Sequence, residues 1–336
     1  MKAALLEKLN QPLSIVDREI PEPGENEVVI KQDYAGLCYR DILSATGFFP
    51  RIQLPIIPGH EIGGTVVKTG SEVRNFHVGD HVASLIYIPC GKCEYCRSGN
   101  ENLCPYKKSI GEEVQGGFRE YVNVPEISLI SAPKEVDTRY LPIASCVTGM
   151  IYHALFKLAK VKEGQRVLIT GAGGGVGSNA VQMAKAFGAT VIAETTSESK
   201  KEMLEKIGAD YIVDGNGKFN EDVKKIGGAD IVLECVGIHT FERSLRSLNN
   251  GGKMIVIGNI KPDPVNLPLG LIILKGNTIR GSISSTRKDV SDALKMVAEN
   301  RIKPVIGSEV SIDRINEAME MMKNKQTEGR VLIKFS

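Results

Sequence analysis

The segment that most constrains the fold is a glycine-rich turn between an apolar strand and a helix. Residues 166–177 read R-V-L-I-T-G-A-G-G-G-V-G, and the helical pattern that follows ends at Gly188. A dinucleotide-binding loop requires this context, because glycines let the backbone turn tightly and approach a pyrophosphate at a helix N-terminus. The alternative is a glycine-rich turn in a flavodoxin-like fold that binds no dinucleotide.

The glycines of this turn match a dinucleotide fingerprint in two ways. The strict G-x-G-x-x-G spacing is not met, but Ala172-x-Gly174-x-x-Gly177 fits if alanine replaces the first glycine, and Gly171-x-x-Gly174-x-x-Gly177 also fits. Because the backbone of such a turn lies against the pyrophosphate, we expect these residues to bind the cofactor: Gly171, Gly174, Gly175, Val176 and Gly177.

The pattern of apolar segments divides the chain into three parts. Residues 1–147 contain short β-rich runs separated by turns, which favours a barrel or sandwich. Residues 148–284 alternate apolar strands with helices, which predicts a parallel, doubly wound sheet. Residues 285–336 hold two helical patterns and a final strand. We therefore predict an α/β protein of two domains.

Composition and charge limit the function classes. The 336 residues are 42% hydrophobic and 24% charged, as in soluble globular proteins, and a net charge of +2 favours neither nucleic acid nor a membrane surface. No apolar run is long enough to span a membrane, and Glu7 interrupts the N-terminal apolar residues too early for a secretory signal. We expect a cytoplasmic protein with a small-molecule partner.

Four of the seven cysteines lie close together, in the segment 88–106. In a reducing compartment, clustered cysteines act as metal ligands more often than as disulfides. Four thiolates can close a tetrahedral zinc site and leave no position for substrate. A structural zinc is therefore predicted, with an iron–sulfur cluster as the alternative. Its ligands would be Cys90, Cys93, Cys96 and Cys104.

A second set of possible metal ligands is dispersed along the chain. Cys38, the adjacent His60 and Glu61, and Cys146 supply sulfur, imidazole and carboxylate. These groups suit a catalytic zinc, which takes three protein ligands and keeps one position open. Asp41 is a natural hydrogen-bond partner for a ligating histidine. The alternative is that these side chains are only structural.

The end of the second strand in the alternating region selects between NAD and NADP. Glu194 lies about where an acidic residue binds the ribose of NAD. The hydroxyls and lysines that follow it can instead receive the 2′-phosphate of NADP. The alternative is that the lysines only solvate the start of a helix. The candidate phosphate-binding residues are Thr195, Thr196, Ser197, and Lys200 or Lys201.

Together these motifs resemble those of one family along essentially the whole chain. The chain resembles the zinc-containing alcohol dehydrogenases of the medium-chain dehydrogenase/reductase superfamily. The motifs that carry this resemblance are L-C-Y-R-D, P-G-H-E-I-G-G-T-V-V, V-G-D-H-V, C-G-K-C-E-Y-C-x-x-G-x-E-N-L-C and G-A-G-G-G-V-G. Within this superfamily, the archaeal acryloyl-CoA reductases look most similar, on the motifs L-C-Y-R-D, A-S-C-V-T-G-M-I-Y and L-G-L-I-I-L-K. The resemblance implies a chaperonin-10-like β-barrel catalytic domain, a Rossmann domain that binds NAD(P), a C-terminal segment that returns to the barrel, and a homodimer or homotetramer.

The resemblance also implies roles for individual residues. Cys38, His60 and Cys146 would be ligands of the catalytic zinc, Glu61 an exchanging or outer-shell ligand, and Asp41 the residue that orients His60. T-T-S-x-x-K resembles the NADPH-type members, which implies a preference for NADP(H). Further implied cofactor contacts are Thr195 at the position of the ribose acid, Val236–Gly237 and Gly258–Asn259 at the nicotinamide, and Arg330 at the phosphates.

Arg40 departs from the alcohol dehydrogenase pattern, which has Ser or Thr two residues after the first zinc cysteine as a proton relay. A guanidinium stays protonated at neutral pH and cannot replace that hydroxyl. Two functions stay open: a zinc-dependent interconversion of alcohols with aldehydes or ketones, and an NADPH-dependent reduction of a 2-enoyl thioester or quinone. In the second, Arg40 could hold an anionic group of the substrate. A zinc-containing nucleotide-binding protein without catalysis is a third possibility.

Overall fold

The computed structural model describes residues 1–261 and 263–335. Unit 1 holds residues 1–149, 284–300 and 306 onward, and unit 2 holds residues 150–283 and 301–305. The predicted boundaries after residues 147 and 284 lie within two residues of these divisions. Residues 262 and 336 belong to predicted domains but lie outside the described residues.

The segment 301–305 differs from the predicted organisation, because it groups with unit 2. The Gln182 side chain donates to the backbone oxygen of Lys303 at 2.6 Å and accepts from its N–H at 2.9 Å. The N–H of Val305 donates to Asn179 Oδ1 at 3.0 Å. Such contacts between side chains and a distant backbone leave no periodic signal in the sequence, which explains the difference.

The N-terminal part of unit 1 consists of short strands and two short helices. Its strands are β1 (Lys2–Leu5), β2 (Ser14–Asp17), β3 (Glu27–Lys31), β4 (Tyr34–Leu37), β5 (Gly63–Thr69), β6 (His81–Ser84), β7 (Tyr87–Ile88), β8 (Lys108–Ser109), β9 (Tyr121–Pro125) and β10 (Leu129–Ser131). Its α-helices are α1 (Tyr39–Ala45) and α2 (Glu94–Arg97).

The main sheet of unit 1 is antiparallel, in the order β10-β6-β5-β3-β9. Val28 and Ile30 of β3 are fully buried beside Val66 of β5 and Val122 of β9. In an antiparallel sheet that is covered on one face, alternate residues of each strand form such a core. This architecture confirms the β-rich catalytic domain that the sequence predicts.

A helical run follows, with π-helical bonding at Ala144–Gly149 and His153–Ala159 and α3 (Met150–Tyr152) between them. Unit 2 then alternates strands and helices. Its further elements are β11 (Arg166–Ile169), α4 (Gly177–Ala186), β12 (Thr190–Thr195), α5 (Lys201–Lys206), β13 (Tyr211–Asp214), α6 (Phe219–Lys225), β14 (Ala229–Glu234), α7 (Phe241–Ser247), β15 (Leu248–Val256), α8 (Leu269–Lys275) and β16 (Thr278–Gly281).

The sheet of unit 2 is parallel throughout, in the order β13-β12-β11-β14-β15-β16. The strand before the glycine-rich turn, β11, lies between β12 and β14, so the strand order reverses there. Ligands of doubly wound sheets bind at this kind of switch point, outside the carboxyl ends of the strands. The predicted doubly wound sheet is confirmed.

The C-terminal part adds α9 (Arg287–Ala298), β17 (Ile306–Ser311), α10 (Ile315–Lys323) and β18 (Arg330–Lys334). The final strand, β18, lies between β17 and β4, and Val331 pairs with Leu37. This register brings Arg330 beside the residue that follows β4, which is Cys38. Among the described helices, none combines the length and the hydropathy needed to cross a membrane.

Candidate active site

The four predicted ligands of a catalytic zinc converge in unit 1, although they come from separate elements. Cys38 lies between β4 and α1, His60 and Glu61 precede β5, and Cys146 lies in the π-helix Ala144–Gly149. One possible ligand atom from each lies within 4.8 Å of the others. Because π-helical turns are rare and occur mainly at functional sites, the position of Cys146 also favours a functional role.

Asp41 connects the start of α1 to the imidazole of His60. Its carboxylate accepts a hydrogen bond from the backbone N–H of Cys38 at 2.8 Å and lies 3.0 Å from His60 Nδ1. The other ring nitrogen, Nε2, is 3.3 Å from Cys146 Sγ and 3.9 Å from a Glu61 carboxylate oxygen. Asp41 therefore directs Nε2 of His60 toward the other candidate ligands, as carboxylates do behind metal-bound histidines.

The electrostatics of the cluster shift its two thiols in opposite directions. The hydrogen bond with Cys38 and burial raise the pKa of Cys146 well above 9.0, so its thiol stays protonated in the absence of metal. Burial alone would lower the pKa of His60, but the charge of Asp41 and its hydrogen bond raise it to about 9. A hydrogen bond from Cys146 holds the pKa of Cys38 well below 9.0 despite burial, and the charge of Arg330 adds to this effect. Because zinc binds a thiolate or a neutral imidazole, Cys38 already favours the ligand form, whereas His60 and Cys146 would release a proton when the metal binds.

Glu61 forms a buried ion pair with Arg330, at the start of β18. Arg330 Nε donates to Glu61 Oε2 at 2.9 Å, and Arg330 Nη2 contacts Glu61 Oε1. A side chain at Gly36 would collide with the Glu61 carboxylate, so the glycine in β4 makes room for this pair. The predicted contact of Arg330 with the cofactor phosphates stays a prediction, and the structure gives Arg330 a partner that the sequence did not reveal.

These residues fit a zinc ion with an open coordination position. Two thiols, an imidazole and a carboxylate converge within coordination reach in a buried environment. Zinc takes such sulfur, nitrogen and oxygen donors, and three protein ligands leave one position for substrate or water. In this arrangement Cys38, His60 and Cys146 would hold the ion, while Glu61 could exchange between the ion and Arg330.

The four-cysteine lobe, residues 90–104, forms a second and closed cluster. The thiols of Cys93 and Cys96 are 3.5 Å apart, and those of Cys90 and Cys96 are 3.9 Å apart. Backbone N–H groups of Lys92 and Cys93 lower the pKa of Cys90 to about 6, although burial opposes this. All four sulfur atoms lie within 4.8 Å of one another, as a tetrahedral zinc site requires.

Arg40 is held by an ion pair that the sequence analysis missed. Its Nε and Nη2 atoms donate to the two carboxylate oxygens of Glu112 at 2.8 and 3.0 Å, and Ser44 donates to the same carboxylate at 3.1 Å. The guanidinium also lies 4.5 Å from the centre of the Phe49 ring. Because Glu112 is 72 positions away in sequence, no local pattern connects it with Arg40.

The glycine-rich turn has the geometry that a nucleotide loop needs. Gly171 has a φ of 60°, in the left-handed region that favours glycine. A Cβ at Gly177 would lie 2.6 Å from the Cα of Ala172, so only glycine fits where α4 begins. Glu194 Oε2 accepts from the N–H of Gly171 at 2.7 Å. The carboxylate of Glu194 therefore supports the turn itself.

The other predicted cofactor residues lie at the carboxyl ends of the strands in unit 2. Thr195 and Thr196 lie at the end of β12, and Thr196 is exposed. Lys200 packs over the turn, since a Cβ at Gly173 would lie 2.5 Å from its Cδ. Ser197 donates through its N–H to Thr195 Oγ1 at 3.2 Å.

A buried carboxylate organises the loop that contains Val236 and Gly237. Glu234 Oε1 accepts from their N–H groups at 3.0 and 2.9 Å, and from the hydroxyls of Thr170 and Thr240 at 2.9 and 2.6 Å. The N–H of Gly258, after β15, donates to the backbone oxygen of Glu234 at 3.1 Å. The sequence does not predict a role for Glu234. The one sign of such a role is that an acidic residue ends the strand β14 directly after an apolar run.

Two protein families match different parts of the chain. The alcohol dehydrogenase GroES-like domain matches residues 24–134, which include the four-cysteine lobe and most of the candidate zinc ligands. The zinc-binding dehydrogenase family matches residues 175–299, which include most of unit 2.

Similar proteins cover the whole chain. An acryloyl-coenzyme A reductase of Sulfurisphaera tokodaii is 44% identical over 99% of this chain and 100% of its own length. An alcohol dehydrogenase of Geobacillus stearothermophilus is 34% identical over 100% of this chain and 99% of its own. A zinc-binding dehydrogenase from Sinorhizobium meliloti, solved with NADP bound, superposes with a TM-score of 0.87 at 29% identity, over 99% of this chain and 98% of its own.

The family-level predictions of fold and enzyme class are thereby confirmed. The chain belongs to the zinc-containing, alcohol dehydrogenase-type family of medium-chain dehydrogenases/reductases, and it is an oxidoreductase that works with a nicotinamide cofactor.

Proposed function

We propose that this oxidoreductase reduces the carbon–carbon double bond of a short 2-enoyl thioester with NADPH. The observation that carries the proposal is Arg40, held by Glu112 where alcohol dehydrogenases of the family have a hydroxyl. The relative from Sulfurisphaera tokodaii, an acryloyl-coenzyme A reductase, supports the same substrate class. Hydride would add to the β-carbon of the substrate and a proton to the α-carbon, while NADPH becomes NADP⁺.

Arg40 lies in the electrostatic field of the candidate zinc ligands. Burial opposes its charge, yet Glu112 and, more weakly, the negative charge of the thiolate forms of Cys146 and Cys38 raise its pKa. The ion pair occupies Nε and Nη2, which fixes the guanidinium plane and leaves Nη1 outside the pair. A cation fixed in this way can bind an anionic group of the substrate, whereas it cannot pass on the proton of an alcohol.

The second candidate function is the interconversion of alcohols with aldehydes or ketones. It is supported by the complete set Cys38, His60 and Cys146 with Asp41 behind the histidine. Zinc bound there would act as a Lewis acid on a substrate oxygen, and the nicotinamide would exchange hydride. Cys38, His60 and Cys146 would hold the ion, and Asp41 orients the imidazole of His60.

We further propose that NADP(H) is preferred over NAD(H). Thr195 is the last residue of β12, Thr196 and Ser197 follow it, and Lys200 packs over the glycine-rich turn. Hydroxyls and an ammonium group can give charge-assisted hydrogen bonds to a 2′-phosphate. The carboxylate of Glu194 accepts a hydrogen bond from the N–H of Gly171, so it stabilises the loop and is not directed toward a ribose.

Unit 2 also supports the proposal of a homodimer or homotetramer. In α8, Ile273 and Leu274 are 77% and 86% exposed, and β16 is an edge strand of the parallel sheet. Exposed apolar side chains next to an open strand edge are typical of surfaces that another chain covers. We also propose that the enzyme works in the cytoplasm, because no disulfide connects the seven cysteines, all of which the structure describes.

One substrate screen tests the proposed function. NADPH oxidation is followed with acryloyl-CoA, short aldehydes and quinones, and NADP⁺ reduction is followed with short alcohols. We expect the highest kcat/KM with the 2-enoyl thioester. Faster turnover of an aldehyde or alcohol than of acryloyl-CoA would instead establish the second candidate function.

A further inference from the structure

We propose that Ser285 is a positioning residue that connects the four-cysteine lobe to the zinc ligand Cys146, so that the two metal sites are coupled. The inference rests on the proposed catalytic zinc. It is carried by a continuous path of hydrogen bonds through buried residues of unit 1.

The first step of the path leaves the stem of the lobe. The lobe is bounded by β7 and β8, which pair with each other at Tyr87 and Ser109. Tyr87 is buried, and its hydroxyl donates to the backbone oxygen of Ser285 at 2.8 Å. Because the lobe has little apolar core of its own, a buried hydrogen bond from its stem is a strong determinant of its position.

The second step connects Ser285 to the π-helix that holds Cys146. The Ser285 hydroxyl donates to the backbone oxygen of Ser145 at 3.0 Å, and the two hydroxyl oxygens are 3.1 Å apart. Both serines are fully buried. Ser145 directly precedes Cys146, so these bonds fix the backbone from which the ligand thiol extends.

The contact between these segments is tight as well as hydrogen-bonded. A Cβ at Gly149, the last residue of the π-helix, would lie 2.9 Å from Val290 Cγ2 and 3.3 Å from Ser285 Cβ. The absence of a side chain at Gly149 therefore lets the π-helix pack closely against the segment 285–290. Any displacement of Ser285 is transmitted to the helix, because close-packed interiors leave little free volume.

A second bond holds the same segment to the lobe. Glu101, inside the lobe and only 6% exposed, accepts from the N–H of Arg287 at 2.7 Å. Arg287 is the first residue of α9, where free backbone N–H groups favour an acidic partner. The segment 285–287 is thus fixed from the lobe side by Tyr87 and Glu101 and from the other side by Ser145.

The two metal sites are therefore coupled through residues that bind neither metal. Hydrogen-bonding partners behind metal ligands typically change metal affinity by about 10- to 100-fold when they are removed. For Ser285 the effect should lie at the lower end of this range, because it acts through the backbone beside the ligand and not through the thiol itself.

The test measures metal release from the zinc-loaded enzyme. We compare Ser285→Ala, Tyr87→Phe and Ser145→Ala with wild type, and use Ser247→Ala as a control, a buried serine of unit 2 that also donates to a backbone oxygen. Zinc transfer to a chelator is timed, and Co²⁺-substituted enzyme reports the ligand geometry by its absorption. In Ser285→Ala and Tyr87→Phe we expect the zinc bound by Cys146 to be lost about tenfold faster, and the Co²⁺ spectrum to change. Ser145→Ala keeps the accepting backbone oxygen and should have a smaller effect.

A reciprocal measurement uses Cys93→Ser, which removes a ligand of the lobe. Its remaining zinc should be released faster than the same zinc in wild type. Unchanged release and an unchanged Co²⁺ spectrum in both Ser285→Ala and Tyr87→Phe would overturn the coupling, while the proposed function would stand. A wild-type enzyme that holds zinc only in the lobe would overturn the coupling and the zinc-dependent alcohol function, whereas the enoyl thioester function, which rests on Arg40, would stand.

Discussion

Arg330 and Glu61 form a buried ion pair among the candidate zinc ligands, with Arg330 Nε 2.9 Å from Glu61 Oε2. Both side chains are almost completely buried, so each charge depends on the other. Arg330 is brought there by β18, which pairs with β4 beside Cys38. The C-terminal strand thus contributes a charge to a site that is otherwise built by the first 146 residues.

Arg330→Met should destabilise the protein, because it leaves the Glu61 carboxylate buried without a partner. Loss of one member of a buried pair costs about 3–5 kcal/mol. Urea unfolding of metal-free protein measures this, and Glu61→Gln combined with Arg330→Met serves as the control. The double variant should recover part of the loss. Equal destabilisation in both variants would show that the arginine stabilises by packing and not by charge.

Lys200→Ala should weaken NADPH binding and leave NADH binding nearly unchanged. A charge-assisted hydrogen bond to the 2′-phosphate is worth about 1.5–3 kcal/mol, or on the order of 10- to 100-fold in Kd. The matched control is Lys201→Ala, since Lys201 forms an ion pair with the exposed Glu198. Cofactor titration of both variants decides the matter. Tighter NADH than NADPH binding in wild type would contradict the proposed preference.

Glu194→Gln should change how stability depends on pH. Burial raises the pKa of Glu194 above 4.5, although the N–H of Gly171 opposes this. Between 4.5 and the raised pKa, the folded state therefore binds more protons than the unfolded state, and the free energy of unfolding falls as pH rises. Glutamine keeps an oxygen that can accept from Gly171 but has no charge.

The measurement is the free energy of unfolding of wild type and Glu194→Gln across this pH range. The variant should gain stability relative to wild type as pH rises through the raised pKa, and the gain should then stay constant. The exposed Glu205→Gln, also in unit 2, should show no such trend. A stability difference that is independent of pH would show that Glu194 acts only through its shape.

Local spacing explains which parts of the site could be predicted from the sequence. Cys90, Cys93 and Cys96 recur every three residues, and the glycines at 171–177 follow a strand directly. In each pattern the local spacing alone brings the residues of the site close together. The residue types of the dispersed Cys38 and Cys146 only permit a zinc site, and the family resemblance is needed to assign them as ligands, because only the tertiary fold brings them together.

The remaining contacts could not be predicted, because they connect residues that are far apart in sequence. Arg330 and Glu61 are separated by 269 positions, and the buried serines 145 and 285 by 140. Arg40 departs visibly from the family pattern, but no local pattern connects it with its partner Glu112. Arginine and glutamate are common surface residues, so nothing in their types indicates a buried pair.

The role that we propose for Arg40 is to direct the enzyme toward an enoyl thioester and away from alcohol oxidation. Arg40→Thr restores a hydroxyl at the position of the family's proton relay, but it leaves the buried Glu112 carboxylate unpaired. A companion variant, Arg40→Thr with Glu112→Gln, removes that charge and separates loss of fold from loss of function.

Steady-state kinetics of both variants with acryloyl-CoA and with short alcohols is the most direct measurement. We predict that kcat/KM for the thioester falls by about 10- to 100-fold, the loss expected for one charged hydrogen bond, while alcohol oxidation rises above wild type. A sharp fall in alcohol turnover in the folded double variant, with thioester reduction unchanged, would contradict the account.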